Sequence, residues 1–305
     1  MQTTNHILMI RPVDFKFNTQ TAGNNKFQQL SDAENIQELA LLEFDGFVEL
    51  LRNNGVSVTV IDDTLQPETP DSIFPNNWVS FHENSQIFLY PMFSENRRQE
   101  RRTDIIKLIG KRFKVDTVTD LSGYESQNIF LEGTGSLVLD REHKIAYACI
   151  SVRTNETILS DFCAKTGYQA IIFTAMDASG FPIYHTNVMM CVGTKFAVVC
   201  LAAIPDPTEQ KALVDNLTKT GKEIIEISLD QMNHFAGNML EIQNNTGESL
   251  LVMSEQAYLS LSEKQINNLK LYCRVIYAPL YTIEKNGGGS ARCMLAEIHL
   301  PAATL

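Results

Sequence analysis

The stretch His185-Thr-Asn-Val-Met-Met-Cys-Val-Gly-Thr-Lys-Phe-Ala-Val-Val-Cys-Leu201, with Asp206-Pro207 after it and Glu223-Ile-Ile-Glu-Ile227 beyond, decides how this chain is read. Val188–Val192 and Phe196–Leu201 have the β-branched and aromatic content of strands, and Gly193-Thr194 between them is a turn signal. Asp206 is an N-cap with proline at the first helical position, and Gly221 stands past the helix end. Glu223–Ile227 then reads as a closing apolar strand. The unit is a hairpin, a helix and a further strand.

The unit recurs. Trp78–Phe81 and Ile87–Tyr90 flank Glu83-Asn84-Ser85, Leu137–Leu139 and Ile145–Ile150 flank Asp140-Arg-Glu-His143, and Met239–Ile242 and Leu250–Met253 flank Asn244-Asn-Thr-Gly247. Ser262-Glu-Lys-Gln265 is a capping box that opens another helix. The closing strands Val115–Val118, Ala170–Phe173, Glu223–Ile227 and Leu271–Ala278 return every 50 to 57 residues or so, roughly the period of a propeller or array. The first unit is incomplete. It has Ile7–Ile10, a helix with Ile36, Ala40, Phe44, Phe47, Val48 and Leu51 on one face, the stop Asn54-Gly55, and Val56–Ile61. Cys293–Ile298 at the other end of the chain can supply its missing strand, and closing the ring removes open sheet edges. The expectation is one domain over residues 1–305: an α/β, five-bladed, pseudo-symmetric propeller of ββαβ units closed by the C-terminal strand.

Composition sets limits. The net charge of -11 argues against a nucleic-acid or anionic-membrane partner. No window has the apolar length of a membrane span, and the start has no signal-peptide pattern. Six scattered cysteines without a CxxC spacing read as reduced thiols in the cytoplasm, with no zinc or other metal site. Cys149, Cys191, Cys200 and Cys273 lie in apolar runs and Cys163 in a helical segment, as small core hydrophobes do. Cys293 differs. It follows Gly287-Gly-Gly-Ser-Ala-Arg292, an unbulky approach, and is expected at the mouth of a strand.

The residues that open the first strand of each unit are Asn76-Asn77, Glu132, His185 with Asn187, Asn238 and Cys293. In a closed ring equivalent positions face one axis at one end, so a thiol, an imidazole, a carboxylate and several amides converge. That is the content of a Cys–His–Glu catalytic site.

These residues resemble the amidinotransferase (pentein) superfamily, on Leu131-Glu-Gly133, His185-x-Asn187 and the glycine run into Cys293. Phe74-Pro-Asn-Asn-Trp78 and Arg11-Pro12 through Asn18-x-Gln20-Thr21 are most similar to the citrulline-utilisation hydrolases within it. The resemblance covers nearly the whole chain. It implies a five-bladed α/β propeller that acts on guanidine or ureido carbons through Cys293, with no cofactor. It implies that Asp71 and the segment through Trp78 grip the substrate head group, and that Arg97 and Arg153 hold an α-carboxylate.

The chemistry asks for a thiolate at Cys293, proton transfer by His185, and Glu132 to orient that imidazole. Arginine deiminases place aspartates at the positions of Asn77 and Asn187. Here both are amides, which leave a buried guanidinium without countercharge but suit a neutral ureido group. The expected substrate is citrulline, cleaved with water to ornithine, ammonia and carbon dioxide. Asn76, Asn77, Asp71, Arg97, Arg153, Asn187 and Asn238 are the expected substrate-binding set. A guanidine-modifying enzyme (a deiminase, a dimethylarginine hydrolase or an amidinotransferase) and a non-catalytic binding module are the alternatives. Asn76-Asn77 also fits a plain turn, and Arg98, Arg101 and Arg102 a solvated helix face. His6, His82, His143, His234 and His299 are expected to be structural or exposed, and the polar stretch Phe15–Asn25 is a candidate lid.

Overall fold

Hairpin and closing strand come together as three-stranded sheets throughout. The computed structural model describes residues 1–31 and 34–303. Met190–Val192 pairs antiparallel with Phe196–Val199, which pairs in parallel with Glu223–Glu226; Val198 lies opposite Cys191 on one side and Ile225 on the other. The same order holds for Val79–His82, Gln86–Leu89 and Thr117–Asp120, and for Val138–Asp140, Ile145–Cys149 and Gln169–Phe173. It holds again for Leu240–Gln243, Ser249–Ser254 and Arg274–Ala278. In the fifth sheet His6–Arg11 runs parallel to Ser57–Asp62 and antiparallel to Ala296–Glu297, with Ile7 opposite Glu297. The far end of the chain does supply the missing strand. The result is a mixed α/β fold of five small sheets.

Burial falls from the first strand of each sheet to the last. Val79–His82, Val138–Asp140 and Met190–Val192 are buried at every residue, whereas Ser57–Asp62 and Thr117–Asp120 are buried at none. First strands also meet across sheets: Ala296–Glu297 packs on Val79–His82, and Met190–Val192 on both Val138–Asp140 and Leu240–Gln243. Helices fill the outer layer. Ile36–Asn53 buries Ala40, Phe44, Phe47, Val48 and Leu51, with Ile36 half-buried, as the 3.6-residue period of its sequence requires. Asp206 accepts the Thr208 and Glu209 N–H groups at the start of Pro207–Lys219, a cap that contributes about 1 kcal/mol. Among the described residues no helix is long and apolar enough to cross a membrane.

Two expectations need correction. Val188 and Met189 belong to a helical turn, Thr186–Met189, and the strand starts at Met190. Cys293 likewise sits in a 3-10 turn, Ala291–Met294, and the strand is only Ala296–Glu297. Similar turns, Pro75–Asn77 and Gly133–Ser136, precede two other first strands. A buried helical turn and a buried strand are equally apolar, so a short run cannot separate them.

Candidate active site

These turns place the polar residues. Glu132 and His185 are the N-cap residues of Gly133–Ser136 and Thr186–Met189, and Asn77 ends Pro75–Asn77. A β-carbon at Gly135 would lie 2.7 Å from His185 Nδ1 and collide with the Asn77 side-chain nitrogen, so only glycine allows this approach. Asn77, Arg97, Arg153, Tyr184, His185 and Cys293 line one narrow cavity together with Phe74, Asn25 and Gly287–Gly289. Gly288 has φ +65° at the end of the helix Tyr281–Gly287, the left-handed conformation that favours glycine.

Glu132, fully buried, connects the parts. Its Oε2 is 2.8 Å from His185 Nε2 and 3.4 Å from an Arg153 nitrogen, and its Oε1 accepts the Phe93 N–H at 2.9 Å. Against the effect of burial, Arg153 and His185 hold this carboxyl far below the usual range. Burial pushes the His185 imidazole down to about 4, with Glu132 opposing. The imidazole is therefore neutral at pH 7. Since a carboxylate can only accept, Nε2 carries the hydrogen and Nδ1 keeps its lone pair, the form of a general base. Imidazole nitrogen NMR should find His185 neutral and Nε2-protonated from pH 8 down to about pH 5, given its value of about 4. A titration centred near 6.5, the unperturbed value, would contradict this picture.

Cys293 is 3% exposed, and its sulfur accepts hydrogen bonds from the side-chain amides of Asn187 and Asn238, each at 3.3 Å. Arg97 is fully engaged in a different way from a free carboxylate clamp. Its guanidinium binds both oxygens of Glu100 (2.8 and 2.9 Å), donates to Asn77 Oδ1 at 2.9 Å, and lies 3.8 Å from Asp71. Arg153 donates to Asn24 Oδ1 and stacks on the Tyr184 ring, 4.8 Å from its centroid. Asp71 accepts from Asn18 at 2.8 Å. Asn76 is buried, but among the described residues its amide has no partner, and it does not line the cavity.

The structure thus brings Cys293, His185, Glu132, Asn77, Asn187, Asn238, Arg97 and Arg153 into one connected group, with Asp71 joined through Arg97 and Asn76 outside it. The stretch Phe15–Asn25 lies against this group. Asn18 and Thr21 reach Asp71, Asn24 reaches Arg153, and Asn25 donates to the Gly287 and Gly288 carbonyls. Tyr184, whose hydroxyl donates to the Gly288 carbonyl at 2.7 Å, has no sequence signal beyond its place before His185. Arg98 and Arg101 are not on a solvated face: both lie within 4 Å of the partly buried Glu125. Arg102 pairs with Asp104 at the surface. His82 is buried, and His299 is half-buried with its ring 3.2 Å from Glu297.

Comparison with known proteins bears on the family and the fold. A family model described as N,N dimethylarginine dimethylhydrolase, eukaryotic, matches residues 11–300. Among solved structures, an asparagine-to-serine variant of the N-terminal domain of ArgZ, covalently bound to a reaction intermediate, is 16% identical with a TM-score of 0.75. The match covers 97% of this chain and 98% of that one. ArgZ is described as an arginine dihydrolase from cyanobacteria, and this chain covers 42% of the longer ArgZ structure. A cysteine-to-serine mutant of the dimethylarginine hydrolase of Pseudomonas aeruginosa, complexed with citrulline, is 16% identical with a TM-score of 0.64, covering 98% of this chain and all of that one. No curated protein matches the chain. With a family match over almost its full length and the same fold as these enzymes, the chain belongs to the N,N dimethylarginine dimethylhydrolase family, hydrolases acting on C–N bonds within the pentein superfamily.

Proposed function

We propose that this protein hydrolyses the ureido group of citrulline to ornithine, ammonia and carbon dioxide through a covalent intermediate on Cys293. One observation carries the choice of substrate. The Asn77 side-chain oxygen accepts from Arg97, and its buried nitrogen has no partner among the described residues. Arg97 can only donate, so the amide cannot be turned around, and Asn77 offers the site an N–H donor. A guanidinium carries only donors and would meet it donor to donor. A ureido oxygen accepts.

On this reading the Cys293 thiol gives its proton to His185 Nδ1 as the sulfur adds to the ureido carbon, and the imidazole passes that proton to the departing amine. The thiocarbamate left on sulfur is then hydrolysed, and the carbamate formed breaks down to ammonia and carbon dioxide. Arg153 holds the substrate carboxylate once Asn24 gives way, and Glu132 keeps His185 in its base form. The five sheets close into a five-bladed ring over residues 1–305, the packing of first strand on first strand supporting this arrangement. Six free cysteines fit a reducing cytoplasm.

Hydrolysis of a guanidino substrate, arginine or dimethylarginine, is the second reading. It is favoured by Asp71, whose buried Oδ1 has no partner among the described residues and could offset a cation. Relatives support that possibility, since ArgZ is called an arginine dihydrolase and AgrE has been crystallised with L-arginine. The test is ornithine and ammonia release from citrulline, arginine and dimethylarginine, for wild type and Asn77→Asp. Citrulline alone should turn over in the wild type, and Asn77→Asp should lose at least about tenfold on citrulline as its donor is removed. Wild-type release of citrulline from arginine or dimethylarginine would sink the ureido assignment.

A further inference from the structure

A second cleft lies apart from the catalytic cavity, lined by Lys26, Phe27, Asp177, Gln256, Glu284 and Lys285 among others. Its volume is about 520 Å³, against about 10 Å³ for the cavity at Cys293. That is room for a small organic molecule. We propose that this cleft binds a free α-amino acid, whose ammonium meets Glu284 and whose carboxylate meets Lys26 and Lys285.

The charges carry this. Two lysines and two carboxyl groups line the cleft, and among the described residues none of the four takes part in an ion pair. Glu284 is buried, and its oxygens accept from neutral donors, Ser290 Oγ at 2.6 Å and Gln256 Nε2 at 3.1 Å. A carboxylate still has lone pairs for a further donor. Burial, with Glu43 adding to it, pushes this carboxyl up to about 7, so an ammonium beside it would favour the ionised form. Asp177 accepts the Ser179 and Phe181 N–H groups on one oxygen, each at 2.8 Å, and its other oxygen has no partner among the described residues. Lys26 lies over the Phe181 ring, 4.6 Å from its centroid. Charges of both signs around one cleft call for a ligand that carries both, which an inorganic ion or a simple amine does not.

The walls are built and fixed. The Gln29 N–H donates to the Lys285 carbonyl at 2.6 Å, which ties the segment after Asn25 to the helix Tyr281–Gly287. The Phe27 ring packs 5.4 Å from Phe235 and 6.3 Å from Tyr184, centroid to centroid, and gives the cleft an aromatic surface for an aliphatic side chain. Glu284 connects the cleft to the catalytic group without entering it. Ser290, which donates to Glu284, accepts the Cys293 N–H on its carbonyl at 3.0 Å. An amino acid seated on Glu284 is therefore one residue removed from the turn Ala291–Met294 and touches none of the catalytic side chains.

Titration calorimetry of the full chain with L-ornithine tests the site. Binding should weaken about tenfold or more when Lys26→Gln and Lys285→Gln are combined, and by a similar factor in Glu284→Gln. Both lysines are exposed, so the double variant keeps its fold and its loss of binding has no structural explanation. In Glu284→Gln the side-chain oxygen can still accept from Ser290, and only the charge is lost. The diamine 1,4-diaminobutane, which has no carboxylate, should bind about tenfold more weakly than ornithine. A second binding event that survives in the lysine double variant is occupation of the catalytic cavity and leaves the proposal standing. Absence of any binding at about 1 mM ornithine would overturn it, as would a titration that the double variant leaves unchanged. Equal affinity for the diamine would overturn the amino-acid assignment. The cleft does not depend on which substrate the catalytic cavity takes: ornithine bound there by a protein that leaves citrulline untouched would count against the ureido reading alone.

Discussion

Cys293→Ser is expected to abolish release of ornithine and ammonia, a loss on the order of 10⁴-fold or more, while the protein stays folded. The two amides that donate to the sulfur can equally donate to a serine oxygen, so little changes in packing at this buried position. What changes is the nucleophile. A hydroxyl is almost never ionised at neutral pH, and two amide donors and a neutral imidazole do not close that gap. The ureido carbon is a poor electrophile, deactivated by two nitrogens, so the reaction has no margin for a weaker attacking atom. Chemical denaturation should place the variant within about 2 kcal/mol of wild type. Intact-mass spectrometry of protein mixed with substrate should show an adduct on the wild type and none on the variant. Turnover within tenfold of wild type would mean that another group attacks, and would remove Cys293 from the mechanism.

The recurring three-stranded unit was legible because it is written in periodic features. Turn clusters such as Gly193-Thr194, caps such as Asp206-Pro207 and the apolar closing strands leave the same mark wherever they occur, and each is a local effect. That the C-terminal segment would pair with His6–Arg11 was also readable, because the first unit lacks a strand of its own. The one-turn helices were hidden, since Thr186–Met189 and Ala291–Met294 are buried on all sides and carry no amphipathic signal. They matter because they set which atoms of His185 and Cys293 face the cavity. At the candidate site, residue types were readable and partners were not. Nothing local says that Arg97 would reach Asn77, or that Asn24 would lie on Arg153, since those contacts join residues 20 and 129 positions apart. The lone pair of amides on Cys293 belongs to the same class. Asn187 and Asn238 are 51 positions apart, and only the sheet packing makes them neighbours.

Glu132→Gln is the second change with a large expected effect, because every contact of the carboxylate is with a donor. Phe93 N–H faces one oxygen, and His185 Nε2 and Arg153 face the other. Glutamine must point an NH2 group at one of them. If it faces Phe93, two donors collide and a backbone N–H is left without an acceptor. If it faces His185, the imidazole must move its hydrogen to Nδ1 so that Nε2 can accept, and the lone pair needed for proton transfer is lost. Either way Arg153 loses the countercharge that balances it in the interior. Breaking a buried pair on one side costs about 3–5 kcal/mol, so the denaturation midpoint should drop clearly. Turnover should fall by about 10³- to 10⁴-fold, as when an orienting carboxylate is removed from another catalytic imidazole. Loss of stability alone cannot produce that rate effect in protein that is still folded, and imidazole NMR separates the two: the Nε2-protonated signal of His185 should give way to the Nδ1-protonated form. A folded Glu132→Gln protein with the wild-type tautomer and a rate within threefold of wild type would show that the Glu132–His185 contact is packing, not chemistry.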